Sequence, residues 1–266
     1  MNSINLLNNY LNDYLDNSEE IVVAAAKQKG IKTLCGIEGD EFEGLWQKGL
    51  DTMFLLCFDL EFNRALKSAN LANMEIDDED AIAISAALDS NTSLTKLDLS
   101  ENLIYTAGAQ AIAKMLMVNK ELIKLSIGDN ELGHGIQTIC ESLCHNDTLQ
   151  AISFANKYDD DQFKMGAAGA KYVADMLKSN RALTSVNLLG NNLGDGAAAV
   201  VTAAKQNGTI KTLCGIESGQ KEVELPWDCV SKQLEASDAA LLSFDLEFNR
   251  SLKVTEKRKL GFLRTR

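Results

Sequence analysis

Two periods are written into this chain one after the other. Around Leu94 the letters run Leu94-Thr-Lys-Leu97-Asp-Leu99-Ser-Glu-Asn102-Leu-Ile104, with apolar side chains at alternate places through Leu99. Alternation of period two is that of a strand with one buried face. Shortly afterwards comes Gly108-Ala-Gln-Ala-Ile-Ala-Lys-Met-Leu116, where apolar residues recur at three and four. That is the period of a helix buried along one side, and Gly196-Ala-Ala-Ala-Val-Val-Thr-Ala-Ala204 reads the same way.

The strand-then-helix pattern repeats. It returns at Leu122, Leu125, Ile127, Asn130 and Leu132, and again at Leu183, Val186, Leu188, Asn191 and Leu193. Weaker or irregular copies start at Met1, Ile31, Leu66, Leu149, Ile210 and Leu252, so the spacings are 30, 35, 28, 28, 27, 34, 27 and 42 residues. A period near 28 residues predicts a solenoid, in which each unit buries its apolar face only against its neighbours. Parallel strands line one side and helices the other. Helices are wider than the roughly 4.8 Å between strands, so the stack bends with the strands inside. The expected layout is about eight units over residues 1–252, irregular near 31–65 and 210–251, followed by a basic tail over 253–266.

The ninth place of the strand motif holds Asn9, Asn102, Asn130 and Asn191. Inside a turn, a side-chain amide can satisfy backbone groups that the bend leaves unpaired, forming a ladder between units. Met74 and Lys157 occupy that place in two units, whose turns are expected to be looser.

LxxLxLxxNxI followed by GAxAIAxxL on this period resembles the ribonuclease-inhibitor-like leucine-rich-repeat class. That class includes ribonuclease inhibitor, the Ran GTPase-activating protein, tropomodulin's C-terminal half and the sensor ends of NOD-like receptors. The resemblance covers nearly the whole chain and implies an α/β horseshoe with a concave strand face. For function it implies a non-catalytic protein-binding scaffold or sensor module. The alternative it implies is a regulator of a small GTPase, although no residue here matches that role one by one.

A second repetition is nested over the first. Ile31-Lys-Thr-Leu-Cys-Gly-Ile-Glu38 returns letter for letter as Ile210-Lys-Thr-Leu-Cys-Gly-Ile-Glu217, and Phe58-Asp-Leu-Glu-Phe-Asn-Arg64 as Phe244-Asp-Leu-Glu-Phe-Asn-Arg250. Duplication of a multi-repeat block accounts for both. Between the two motifs lie Asp40-Glu-Phe-Glu43 and Trp46 in one copy, and Lys221-Glu-Val-Glu224 and Trp227 in the other, each expected as a bulged, charged loop pinned by its tryptophan. Met1 itself falls on a predicted strand, which suggests a larger array or a misplaced start. The tail from Lys253 abandons the pattern and is expected to fray.

Composition narrows the partners. The balance of 26 Lys plus Arg against 38 Asp plus Glu speaks against nucleic acid, since phosphate binding needs a concentrated basic surface. No signal peptide opens the chain and no apolar run reaches the roughly 18 residues of a membrane span, so a cytoplasmic or nuclear location is expected. Six cysteines without a CxxC pair are expected as free thiols acting as small hydrophobes. Four sequons, at Asn91, Asn146, Asn207 and Asn249, share one place before a strand and are expected as turn residues.

Catalytic candidates are absent from the letters. His134 and His145 are too few for a triad or a metal set, and no phosphate-cradling glycine loop occurs. The acidic runs Glu75–Asp80 and Asp159–Asp161 lack calcium-loop spacing and suit helix starts. No catalytic residue, metal or cofactor is therefore expected. What remains is the concave face, whose non-consensus positions give the candidate partner-binding residues Lys67, Asn70, Lys96, Asp98, Glu101, Lys124, Ser126, Asp129, Asn156 and Asn187. The face suits a protein ligand and lacks the depth of a small-molecule pocket.

Overall fold

A computed structural model describes residues 41–43, 50–157, 161–216, 222–224, 235–248 and 253–255. Each strand is three residues long because the motif's alternation lasts no longer before the turn. Strands β1 (Glu41–Glu43), β2 (Ser68–Asn70), β3 (Lys96–Asp98), β4 (Lys124–Ser126), β5 (Ala151–Ser153) and β6 (Ser185–Asn187) form one parallel sheet in chain order. From β2 to β6 the central residue of each triplet points inward: Ala69, Leu97, Leu125, Ile152 and Val186 are all buried. The flanking residues stay partly or fully exposed on the other face.

The helices α1 (Leu50–Phe62), α2 (Asp78–Asp89), α3 (Thr106–Val118), α4 (Gly135–Leu143), α5 (Gly166–Ser179) and α6 (Gly196–Asn207) alternate with these strands. Their small N-terminal residues have a packing reason. A Cβ placed on Gly135 would lie 2.3 Å from the Cβ of Ala109 on the preceding helix, so the glycine is what lets the two helices close up. Strand leucines and helix aliphatics merge into one core running from Leu55 to Phe244. Truncating such a side chain costs about 2–5 kcal/mol.

The acidic run before α2 is used twice. Asp77 caps α2, accepting from the backbone N–H of Glu79 and Asp80 at 3.0 and 3.1 Å. Asp78 reaches the next unit, where its Oδ1 accepts from Tyr105 N at 2.8 Å and Gly108 N at 2.7 Å and so caps α3. Three carboxylates in the first turn of α2 also face its positive dipole end.

Two expectations are corrected here. Glu41-Phe-Glu43 and Glu222-Val-Glu224, expected as bulged loops, are strands β1 and β7 (Glu222–Glu224). The alternation polar–apolar–polar was itself the signal. The tail also begins as a strand: β8 (Lys253–Thr255) pairs in parallel with β7, and α7 (Ala236–Phe248) lies between them in the chain. The two copies of the duplicated block thus share one plan, strand, helix, strand, as β1, α1, β2 and as β7, α7, β8.

Candidate protein-binding face

Parallel pairing turns the repeat into rows across the sheet. One row holds Ser68, Lys96, Lys124, Ala151 and Ser185; the other holds Asn70, Asp98, Ser126, Ser153 and Asn187. Lys96 and Lys124 are direct Cα partners and both are exposed, as is Lys67 just before β2. The Asp98 carboxylate turns toward its own strand end, accepting from Ser100 N at 2.9 Å and Ser100 Oγ at 2.6 Å. Asn70 likewise accepts from Ala72 N at 3.1 Å, and Asn187 from Leu189 N at 3.3 Å. Charge gathers on β1–β4, with Glu41 and Glu43 in register with Ser68 and Asn70, whereas β5 and β6 present small neutral residues.

Two candidates leave the face. Asp129 is only 4% exposed and Asn156 2%. Both stand at the eighth motif place, past the strand end, where the chain turns away. Asn73, Glu101 and Asp129 adopt φ of 57°, 58° and 53° at this place, the left-handed region that Asn and Asp tolerate best among residues with a side chain. The side chains then turn inward: Asp129 Oδ1 accepts from Lys157 N at 2.7 Å, and Asn156 Nδ2 donates to the backbone carbonyl of Phe163 and, at 3.1 Å, to the side-chain Oδ1 of Asn191. Glu101 is half-buried at the same place and pairs with Lys157, which holds the ninth motif place of its own unit.

Beneath the turns run the asparagines. Asn102 Nδ2 donates to Leu71 O and Leu99 O, both at 2.9 Å, while its Oδ1 accepts from Met74 N and Ile76 N at 2.9 and 3.0 Å. The turn at Met74, expected to be looser, is therefore closed by the asparagine of the following unit. Asn130 links Leu99 O, Ile127 O and Ile104 N, and Asn191 links Phe154 O, Leu188 O and Met165 N. Asn9 lies outside the described residues.

A second column is as regular. Asn63, Asn91, Asn119, Asn146, Asn180 and Asn207 stand three residues before the Leu or Ile that opens each unit, and all are buried. Each Oδ1 accepts from the backbone at positions two and three ahead, as Asn119 does from Glu121 N and Leu122 N at 2.9 Å. From Asn91 onward, each Nδ2 donates to a carbonyl at the end of the previous helix, as Asn119 does to Leu88 O at 2.8 Å. Three of these residues head sequons, and with amides buried and engaged they offer no glycan site in the folded chain. Asn249 lies outside the described residues.

Reactive groups on the described residues are few. Cys57, Cys140, Cys144 and Cys214 are free thiols, and burial, aided by Asp80 and Glu61, pushes the Cys57 thiol up to about 12. Burial raises Cys140 and Cys214 as well, so these three sulfurs stay protonated and act as packing atoms. Cys35 and Cys229 lie outside the described residues. Among the described residues no group of three His, Cys, Asp or Glu is placed to hold a metal. No described helix is long and apolar enough to cross a membrane.

No family-wide sequence profile matches the chain. It is 28% identical over 157 residues to ribonuclease inhibitor of Sus scrofa, covering 58% of this chain and 33% of that protein. It is 29% identical over 140 residues to NACHT, LRR and PYD domains-containing protein 5 of Homo sapiens, covering 52% of this chain and 11% of that one. The chain thus spans a third or less of these relatives' length. The solved actin-binding site 2 of leiomodin-1 superposes with a TM-score of 0.52 at 23% identity, over 61% of this chain and 91% of that one, a likeness of fold.

Proposed function

The chain is a ribonuclease-inhibitor-like leucine-rich-repeat protein, and from that premise we propose that it is a non-catalytic module whose protein partner docks across the concave strands. The observation that carries this reading is the register of β2–β6, which lines up two rows of exposed or half-exposed, mostly polar side chains over an apolar core. Five strands at roughly 4.8 Å spacing make a shallow face that a macromolecule can cover and a small molecule cannot fill. Ribonuclease inhibitor and the leiomodin actin-binding site are named for protein ligands, which supports the same class of partner here. The test is hydrogen exchange with a captured partner. Protection concentrated in β2–β6 is expected, and capture must fall when Lys96→Glu, Lys124→Glu and Asp98→Lys are combined; undiminished capture removes the site. Regulation of a small GTPase remains a separate reading, excluded by an unchanged GTP hydrolysis rate when this chain is added to the purified GTPase.

A further inference from the structure

Three of the large apolar side chains left open to solvent lie on neighbouring turns. Ile82, Leu103 and Tyr105 are 47%, 46% and 43% exposed. The backbone ties them together: Leu103 N donates to Ile76 O at 2.8 Å, and Asp78, one turn before Ile82 on α2, accepts from Tyr105 N at 2.8 Å. The start of α3 is seated on that same turn of α2, since a Cβ on Gly108 would lie 2.9 Å from the Cβ of Ala81. The three side chains share the rim where strands pass into helices, outside the strand rows.

Among the described residues this rim is acidic. Residues 68–95, 97–113 and 125–156 contain no Lys or Arg, and their only basic side chains are His134 and His145. Glu79 is exposed three residues before Ile82, on the same side of α2. Asp78 bonds to the backbone N–H groups of Tyr105 and Gly108 and keeps its charge. Glu131, half-exposed, holds the place that Leu103 holds one unit earlier. Glu75, Asp77 and Asp80 on the same turn are already engaged, and Glu101 is matched by Lys157.

The chain itself carries a segment of the opposite character. Residues 256–266, Glu256-Lys-Arg-Lys-Leu260-Gly-Phe262-Leu263-Arg-Thr-Arg266, hold five Lys or Arg against one Glu, around three large apolar side chains. We infer that this segment of a second copy of the chain docks on the rim, with Leu260, Phe262 and Leu263 against Ile82, Leu103 and Tyr105 and the flanking bases toward Asp78, Glu79 and Glu131. Reach makes the donor a second copy. A segment of that length extends at most about 40 Å. From α7 back to α2 the stack crosses α3–α6, and neighbouring helices lie roughly 8–10 Å apart, an arc of about 40–50 Å before the segment has left the strand side. Apolar burial supplies the attraction, while the charge pairs, open to solvent and screened by salt, set orientation and on-rate.

The probe is a fluorescein-labelled peptide of residues 256–266, read by anisotropy on the full chain, beside a peptide in which Leu260, Phe262 and Leu263 are replaced by Ser. The expected result is binding of the first, binding of the second weaker by roughly tenfold or more, and weakening of the first as salt rises above about 0.1 M. Ile82→Ser with Leu103→Ser, and Glu79→Lys with Glu131→Lys, should each weaken the native peptide by roughly fivefold or more. Asp89→Lys with Glu121→Lys makes the same charge change at the opposite rim, where α2 ends and β4 is about to begin, and should leave binding nearly unchanged. In sedimentation velocity the full chain should associate as its concentration rises, and a chain ending at Thr255 should not. No binding of the native peptide, equal binding of the Ser peptide, or equal loss in the two charge variants overturns the inference. So does a full chain that stays monomeric, or association undiminished without the tail. The peptide comparison uses the unaltered chain, so a variant that fails to fold cannot decide it.

Discussion

The regular units and the duplicated irregular unit solve the same problem with different side chains. In the regular units the backbone left over at each bend is met by an asparagine. Its amide donates within its own unit and both donates to and accepts from the preceding one, as Asn130 does with Ile127 O, Leu99 O and Ile104 N, and so the ladder passes on. In the irregular unit at Ile210 the solution is a carboxylate. Val186 N donates to Thr212 O in the next unit at 3.1 Å, but Leu213, one unit on, donates to Asp245 Oδ1 of α7 at 2.6 Å. Asp245 Oδ2 accepts from Thr212 Oγ1 at 2.5 Å and Cys214 N at 3.2 Å. Gly215 then turns away at φ 71°, where an added Cβ would lie 2.8 Å from Asn187 Nδ2.

The difference lies in donor and acceptor counts. An amide does both and needs a further partner; a carboxylate only accepts and closes the ladder where it stands. The sheet β1–β6 accordingly stops there, apart from isolated bridges to Thr212 and Cys214, and β7 pairs with β8 instead. In the second copy Leu213-Cys-Gly215 supplies the strand stub and Asp245 of Phe244-Asp-Leu246 ends it. The matching Asp59 of the first copy is fully buried on α1.

Exchanging the two chemistries breaks the comparison most sharply. Asn130→Asp removes the donor to Leu99 O and Ile127 O and buries a charge, and should cost about 3 kcal/mol or more in urea unfolding. Asp245→Asn keeps one acceptor of two and relieves a desolvated charge, so its cost is expected at about 1–2 kcal/mol by the same measurement.

The pH dependence sharpens the same point. Burial raises Asp245, against its hydrogen bonds, and pushes Asp238 up to about 6 despite the bond from Gly190 N and with Glu235 adding to the rise. Each group holds its proton more tightly folded than unfolded, so its contribution is greatest below the unfolded pKa of about 4 and is lost as pH rises through the folded value, about 6 for Asp238. Asp238→Asn should flatten the change in urea midpoint between about pH 4.5 and 7 by on the order of 2 kcal/mol. Gly135→Ala, which overfills the α3–α4 contact, is expected to cost about 1–3 kcal/mol in thermal unfolding. The exposed Lys120–Asp147 pair at 3.3 Å marks the lower end: Lys120→Ala should shift stability by less than about 0.5 kcal/mol.

The letters alone determined the repeat, because strand and helix periods are local and every unit restates them. They also marked Asn102, Asn130 and Asn191, since one residue type at one place in a motif is visible without knowing what it touches. What they left open depends on neighbours 26 to 31 residues away, the reach of bonds such as Ile76 N to Asn102 and Asn102 to Leu71 O. Only stacking decided that Asp129 and Asn156 turn inward and that the sequon asparagines form a second column. Only the docking of α7 decided that Asp245 ends the sheet. A side chain's type is a property of the sequence; whether its hydrogen bonds go to solvent, to a partner or to the next repeat depends on which backbone the fold brings beside it.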